Sequence, residues 1–132
     1  MTRSEQREEI LILTFEKMFH DNSIEEIIET AQEFRGDKIN DYVKAEVNGI
    51  FDNLSKIDEL IEKNSIGWKL NRIPKVTLCI LRIAIYEMLF DETVPTGVAI
   101  NEAVELCKKY ASVDDKKFVN GVLASIVKEE NK

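Results

Sequence analysis

With 132 residues, 44% of them hydrophobic, the chain is long enough for one globular domain that buries most of its apolar surface. Five Gly and two Pro leave few breaks, which admits long helices and argues against a many-turned β-sandwich. The formal net charge of −7 weighs against nucleic acid as a partner, and no charge-free apolar run reaches the ~18 residues that a membrane span requires.

The opening residues MTRSEQREE lack the apolar core of a signal peptide, so the expected location is the cytoplasm. Thr2-x-x-Glu5 can form a capping box, and Leu11, Phe15, Met18 and Phe19 then mark an apolar stripe. After the break at Asp21-Asn22-Ser23, Ser23-x-x-Glu26 caps a second helix with Ile24, Ile27, Ile28, Ala31 and Phe34 on its core face. Gly36-Asp37 ends it. A third runs through Ile39, Tyr42, Val43, Val47, Ile50 and Leu54, and Ser55-x-x-Asp58 starts a shorter fourth with Ile57, Leu60 and Ile61.

Residues 64–74 read as irregular, and Pro74 suits the first turn of the helix that follows. That fifth segment, KVTLCILRIAIYEMLF, is apolar nearly all round, which predicts a central buried helix. A sixth follows Pro95 with Ala99, Ala103, Leu106, Cys107 and Tyr110 on one face. The seventh carries Val119, Val122, Leu123 and Ile126, with Asp114 or Asp115 as its N-cap. No alternating strand pattern or repeat is visible. The expectation is an all-α fold of about seven helices in one domain, residues 1–132.

Little in the chain suggests catalysis. It has no P-loop, GxGxxG, GxSxG, HExxH or CxxC motif, and the single His20 has no Cys or His neighbours to make a zinc site. The expectation is no enzyme, no cofactor and no metal. Cys79 and Cys107 read as reduced core thiols. Lys75, Cys79, Arg82 and Tyr86 share one stripe of the fifth helix: Arg82 reads as a structural arginine paired with Glu102, and Lys75 and Tyr86 are candidates for an exposed protein-binding strip. Trp68, the one tryptophan, reads first as a loop anchor and second as an RNA stacking platform.

Two features soften the case that the net charge makes against RNA, although composition alone favours packing over RNA at the second. Residues 1–66 hold 8 basic and 16 acidic residues, whereas residues 67–132 hold 10 and 9, so the acid is concentrated in the first half. The second feature is Asn120-Gly121, a strong turn signal set inside a helical pattern, where glycine costs roughly 1 kcal/mol against alanine. Gly121 falls opposite the apolar face, together with Lys117, Phe118, Ser125 and Lys128. Either a neighbouring helix crosses there with Phe118 at the edge of the core, or a nucleic acid strand does. In the second case Phe118 stacks a base and Lys116 and Lys117 hold phosphates.

The blocks LRIAIYEML (81–89), VPTGVAINEAVELCKKY (94–110) and KFVNGVLASI (117–126) together resemble the carboxyl-terminal half of the NusB family of bacterial transcription antitermination factors. REEILILTFEKMF (7–19) is similar to the family's first helix. The resemblance implies two packed helical subdomains and adaptor work without chemistry. Its implied partners are the single-stranded boxA element of nascent ribosomal RNA leaders, NusE (the small-subunit ribosomal protein) and RNA polymerase reading through terminators. Carried over by position, the implied RNA-binding residues are Arg3, Arg7, Lys116, Lys117, Phe118 and Asn120. The arm departs from the family's run of arginines, with Glu5, Glu8 and Glu9 among its two basic residues. The competing expectation is a helical protein–protein adaptor or homodimer without direct RNA binding.

Overall fold

The computed structural model describes residues 1–130 and contains, among them, seven α-helices and no strand. They are α1 Arg3–Lys17, α2 Ile24–Arg35, α3 Asp41–Asp52, α4 Leu54–Asn64, α5 Lys75–Phe90, α6 Thr96–Tyr110 and α7 Val113–Glu130, with one 3-10 turn at Leu70–Arg72. Helices α1–α3 pack on one another, α4–α7 do likewise, and α5 joins the two groups through its contacts with α1 and α3. Every residue of α5 from Thr77 to Ile85 is buried, as an all-round apolar helix must be. Among the described residues no helix is long and apolar enough to cross a membrane.

Local chemistry sets most helix ends. Thr2 and Ser23 form the two predicted capping boxes with Glu5 and Glu26. The predicted Ser55–Asp58 box does not form. Helix α3 runs into α4 across Asn53 alone, so the helix is under way before Ser55, and Asp58 turns instead to Arg82. The last helix begins two or three residues earlier than Asp114 or Asp115 would place it: the Ser112 hydroxyl accepts the Asp115 N–H, and the Asp115 carboxylate accepts the Ser112 N–H. Asp114 and Asp115 lie in the first turn, where the helix dipole favours their charge.

Tertiary structure corrects two core expectations. Phe34 is 92% exposed, because the chain reverses at Gly36 (φ 77°) and Ile39, only 3% exposed, enters the core in its place. The partner of Arg82 is Asp58 on α4, held by two bonds of 2.9 Å, and not Glu102. Glu102 instead faces α1, where it accepts from Ser4 and stands 3.8 Å from Arg7. Cys79 and Cys107 are buried and unpaired, and burial pushes both thiols up to about 11.

Candidate nucleic-acid interface

Helix α7 carries four of the predicted RNA-binding residues, with Lys117 facing outward, Phe118 on one flank of the helix, and Lys116 and Asn120, four apart, on the other. Lys117 and Asn120 are exposed, Lys116 is half-buried, and Phe118 is half-buried at the rim of the core. Phe118 meets Trp68 edge to face, with ring centres 6.1 Å apart and planes at 65°. Trp68 reaches this position because the chain after α4 turns through Gly67 (φ 81°), a conformation that suits glycine. The turn is held by the Trp68 N–H on the Ser65 carbonyl. Trp68 remains 53% exposed, so the ring is as much a surface as an anchor. The two rings, with Arg72, Pro74 and Asp114, line a shallow cavity of about 390 Å³.

Gly121 lies in unbroken helix on the same exposed side, and a Cβ added to it would meet nothing within 4 Å. No neighbouring helix crosses there, so packing does not explain the glycine. Ser125, expected on this open face, instead donates to Asn64 Oδ1 at 2.6 Å and ties α7 to α4. The arrangement offers two cations, an amide, two ring faces and a stretch of uncovered backbone. That set can hold phosphates, stack unpaired bases and read a base edge.

The amino-terminal arm contributes less than its sequence promises. Arg3 is exposed, and its guanidinium lies 3.6 Å over the ring of Tyr42. Arg7 is 3% exposed, contrary to the expectation of a surface cation: its Nε bonds both oxygens of Glu87, at 2.8 and 3.1 Å. One helical turn separates the two arginines, and that turn carries Arg7 inward against α5. Arg3 stands beside the start of α6 near Val94 and Pro95, whereas Lys116 and Lys117 follow the end of α6. The fifteen residues of α6 put roughly 22 Å between those ends. The site is therefore two separate basic places rather than one patch.

The predicted strip on α5 does not form a surface. Lys75 is exposed, with its Nζ 5.8 Å from the Phe19 ring, whereas Tyr86 is half-buried and stacked on Phe90. Tyr86 lies in a notch at Gly49, where any Cβ would overlap its hydroxyl and ring carbons. Buried Cys79 and Arg82 separate the two. Trp68 and Arg72 are the residues that sequence reasoning undervalued; a lone tryptophan in an irregular segment was the available signal.

Comparison with known proteins identifies the family and the fold. The NusB family model matches residues 5–128. The chain is 42% identical over 130 residues to the transcription antitermination protein NusB of Agathobacter rectalis, covering 94% of this chain and 98% of the relative. Among solved structures it is similar to T. maritima NusB, with a TM-score of 0.85, 35% identity and coverage of 98% and 92%. It is also similar to a chain in a crystal structure of antitermination factors NusB and NusE in complex with dsRNA, with a TM-score of 0.82, 28% identity and coverage of 98% and 99%.

Proposed function

The chain belongs to the NusB family of transcription antitermination proteins, and we propose that residues 1–132 work as one helical domain that binds boxA RNA of ribosomal RNA leaders together with NusE. The role is that of an adaptor in the cytoplasm, which brings RNA and protein to RNA polymerase and performs no chemistry itself. The observation that supports the reading is the corner formed by Phe118 and Trp68, next to Lys117 and bare Gly121 on the exposed side of α7, with Lys116 and Asn120 on the opposite flank. In this reading the lysines neutralise phosphates, the rings take unpaired bases and Asn120 reads a base edge. Arg3 supplies a further phosphate contact. Arg7 holds α1 against α5 and leaves the phosphates to its neighbours.

A second reading, a protein-binding adaptor or homodimer that does not touch RNA directly, draws on how many cations are already spent. Arg7 pairs with Glu87, Lys109 with Glu8, and Arg35 with Glu9. One experiment separates the two. Binding of a short boxA RNA is measured against a scrambled single strand and a duplex of the same sequence, with and without NusE, while sedimentation follows the oligomeric state. A preference for single-stranded boxA that strengthens with NusE supports the first reading. If RNA is ignored with NusE present, or if only the duplex binds, the boxA proposal fails; a stable dimer that ignores RNA supports the second.

A further inference from the structure

One phenol and two carboxyls meet where α3 passes the end of α5. Tyr42 and Glu46 are four residues apart on α3 and so face the same way. Tyr42 Oη stands 2.8 Å from Glu46 Oε1 and 3.0 Å from Asp91 Oδ2, in the link that follows α5. The one hydroxyl thus brings the Glu46 and Asp91 carboxyls together, each in short contact with the same oxygen. Ionised carboxylates only accept, and a tyrosine hydroxyl has one proton to give. One proton cannot lie along both short contacts of the Tyr42 hydroxyl at once, and a second proton on a carboxyl completes the other.

The surroundings say which group holds it. Asp91 Oδ1 accepts both the N–H and the hydroxyl of Thr93, a setting made for an anion. Glu46 is 6% exposed and receives the Tyr42 hydroxyl. We propose that Glu46 keeps its proton at neutral pH and shares it with Asp91 under Tyr42, forming a proton-dependent clasp that fastens α3 to the α5–α6 link and seats Arg3 of the arm on the Tyr42 ring.

The charges around the clasp support this assignment. From α1 come Arg3, lying on the ring, and Arg7, which is committed to Glu87 of α5; Glu87 and Asp91 bear on Glu46 as like charges, and Tyr86 of α5 stands near both carboxyls, with Asp52 of α3 beside it. Arg7 is spent on Glu87 and Arg3 lies on the ring face, and among the described residues no salt bridge reaches Glu46. Burial, reinforced by Asp91, pushes Glu46 up to about 8 against the opposing bond from Tyr42. Burial also acts to raise Asp91, but hydrogen bonds from Glu46, Thr93 and Tyr42 outweigh it and hold that carboxyl down at about 2.

The linkage has a definite sign. Between the ordinary Glu value of 4.5 and about 8, the folded chain holds a proton that the unfolded chain has lost, so stability falls as pH rises through that window and levels off above it. Asp91 acts in the opposite direction at low pH: its contribution is present above 3.8 and is lost as pH falls toward about 2.

The full chain, labelled with ¹³C at glutamate carboxyls, is titrated by NMR from about pH 4 to 10, a range that brackets ordinary and raised carboxyls. The expected result is one glutamate with a midpoint near 8 that is missing in Glu46→Gln, and a melting temperature that declines with pH in the parent far more than in this variant. The Arg3 side-chain N–H resonance, displaced by the Tyr42 ring, should move with the same midpoint in the parent and stay still in Glu46→Gln. The proposal is overturned if every glutamate titrates in the ordinary range, if the late group persists in Glu46→Gln and so belongs to Glu87, or if Arg3 ignores the transition. Should Glu46→Gln fail to fold, Asp91→Asn decides: its amide can donate to an ionised Glu46, so the late midpoint must drop.

Discussion

Arg7 and Arg82 spend their guanidinium groups inside the protein, and this separates structural cations from those free to meet a partner. The Arg82–Asp58 pair is bidentate, and both side chains are largely withdrawn from solvent. Arg82→Ala leaves Asp58 uncompensated and should cost about 2–4 kcal/mol, somewhat below the figure for a fully buried pair because Asp58 keeps some solvent contact. Urea denaturation checks this, and a loss below about 0.5 kcal/mol, typical of a surface site, would sink the structural assignment. Phe118 poses the opposite question. Phe118→Ala should weaken RNA binding by about 1–3 kcal/mol through lost stacking, and lower stability by about 1–2 kcal/mol because its edge contact with Trp68 and its rim packing go with it. Unchanged RNA affinity beside a large stability loss would make the ring a core residue only.

At the scale of the helix, Gly121 is the informative position. Nothing in the fold needs its small size, so Gly121→Ala should stabilise the free protein by about 1 kcal/mol through helix propensity alone. If an RNA backbone lies against that bare stretch, the same methyl should reduce RNA affinity, and opposite shifts in melting and binding are the expected outcome. A gain in stability with unchanged affinity would show that RNA passes elsewhere. Gly49 has no such freedom, since Tyr86 fills its place. These elements also show where sequence was enough. Capping at Thr2 and Ser23 and the buried run of α5 follow from local chemistry and periodicity, which act over a few residues. Phe34 was misread because its stripe continues correctly in α2 while the core does not, and only the reversal at Gly36 reveals that. The choice of Asp58 over Glu102 likewise depends on which side of α5 each neighbour occupies.

For the whole molecule, the balance of charge governs how RNA is met. The net charge of −7 is dominated by the first half, and most of the arm's neighbouring cations are already paired. Three free phosphate contacts, from Arg3, Lys116 and Lys117, predict a slope of log affinity against log salt of about −2, at roughly −0.7 per contact for single strands. A slope near zero in the presence of RNA binding would mean that stacking carries the affinity instead. The candidate site was legible in sequence only as far as order allows: Lys116, Lys117, Phe118 and Asn120 follow one another on α7, where the helix divides them between its two flanks. The inward turn of Arg7 and the arrival of Trp68 beside Phe118 depend on tertiary packing that no local pattern encodes. That arrival has an optical consequence. Trp68 is the chain's sole indole, half-exposed and touching the ring on which a base would stack, so its fluorescence reports on this one corner of the protein and on no other. The protein thus carries its own label, and occupancy of the corner can be followed in an unmodified chain apart from events at the distant arm.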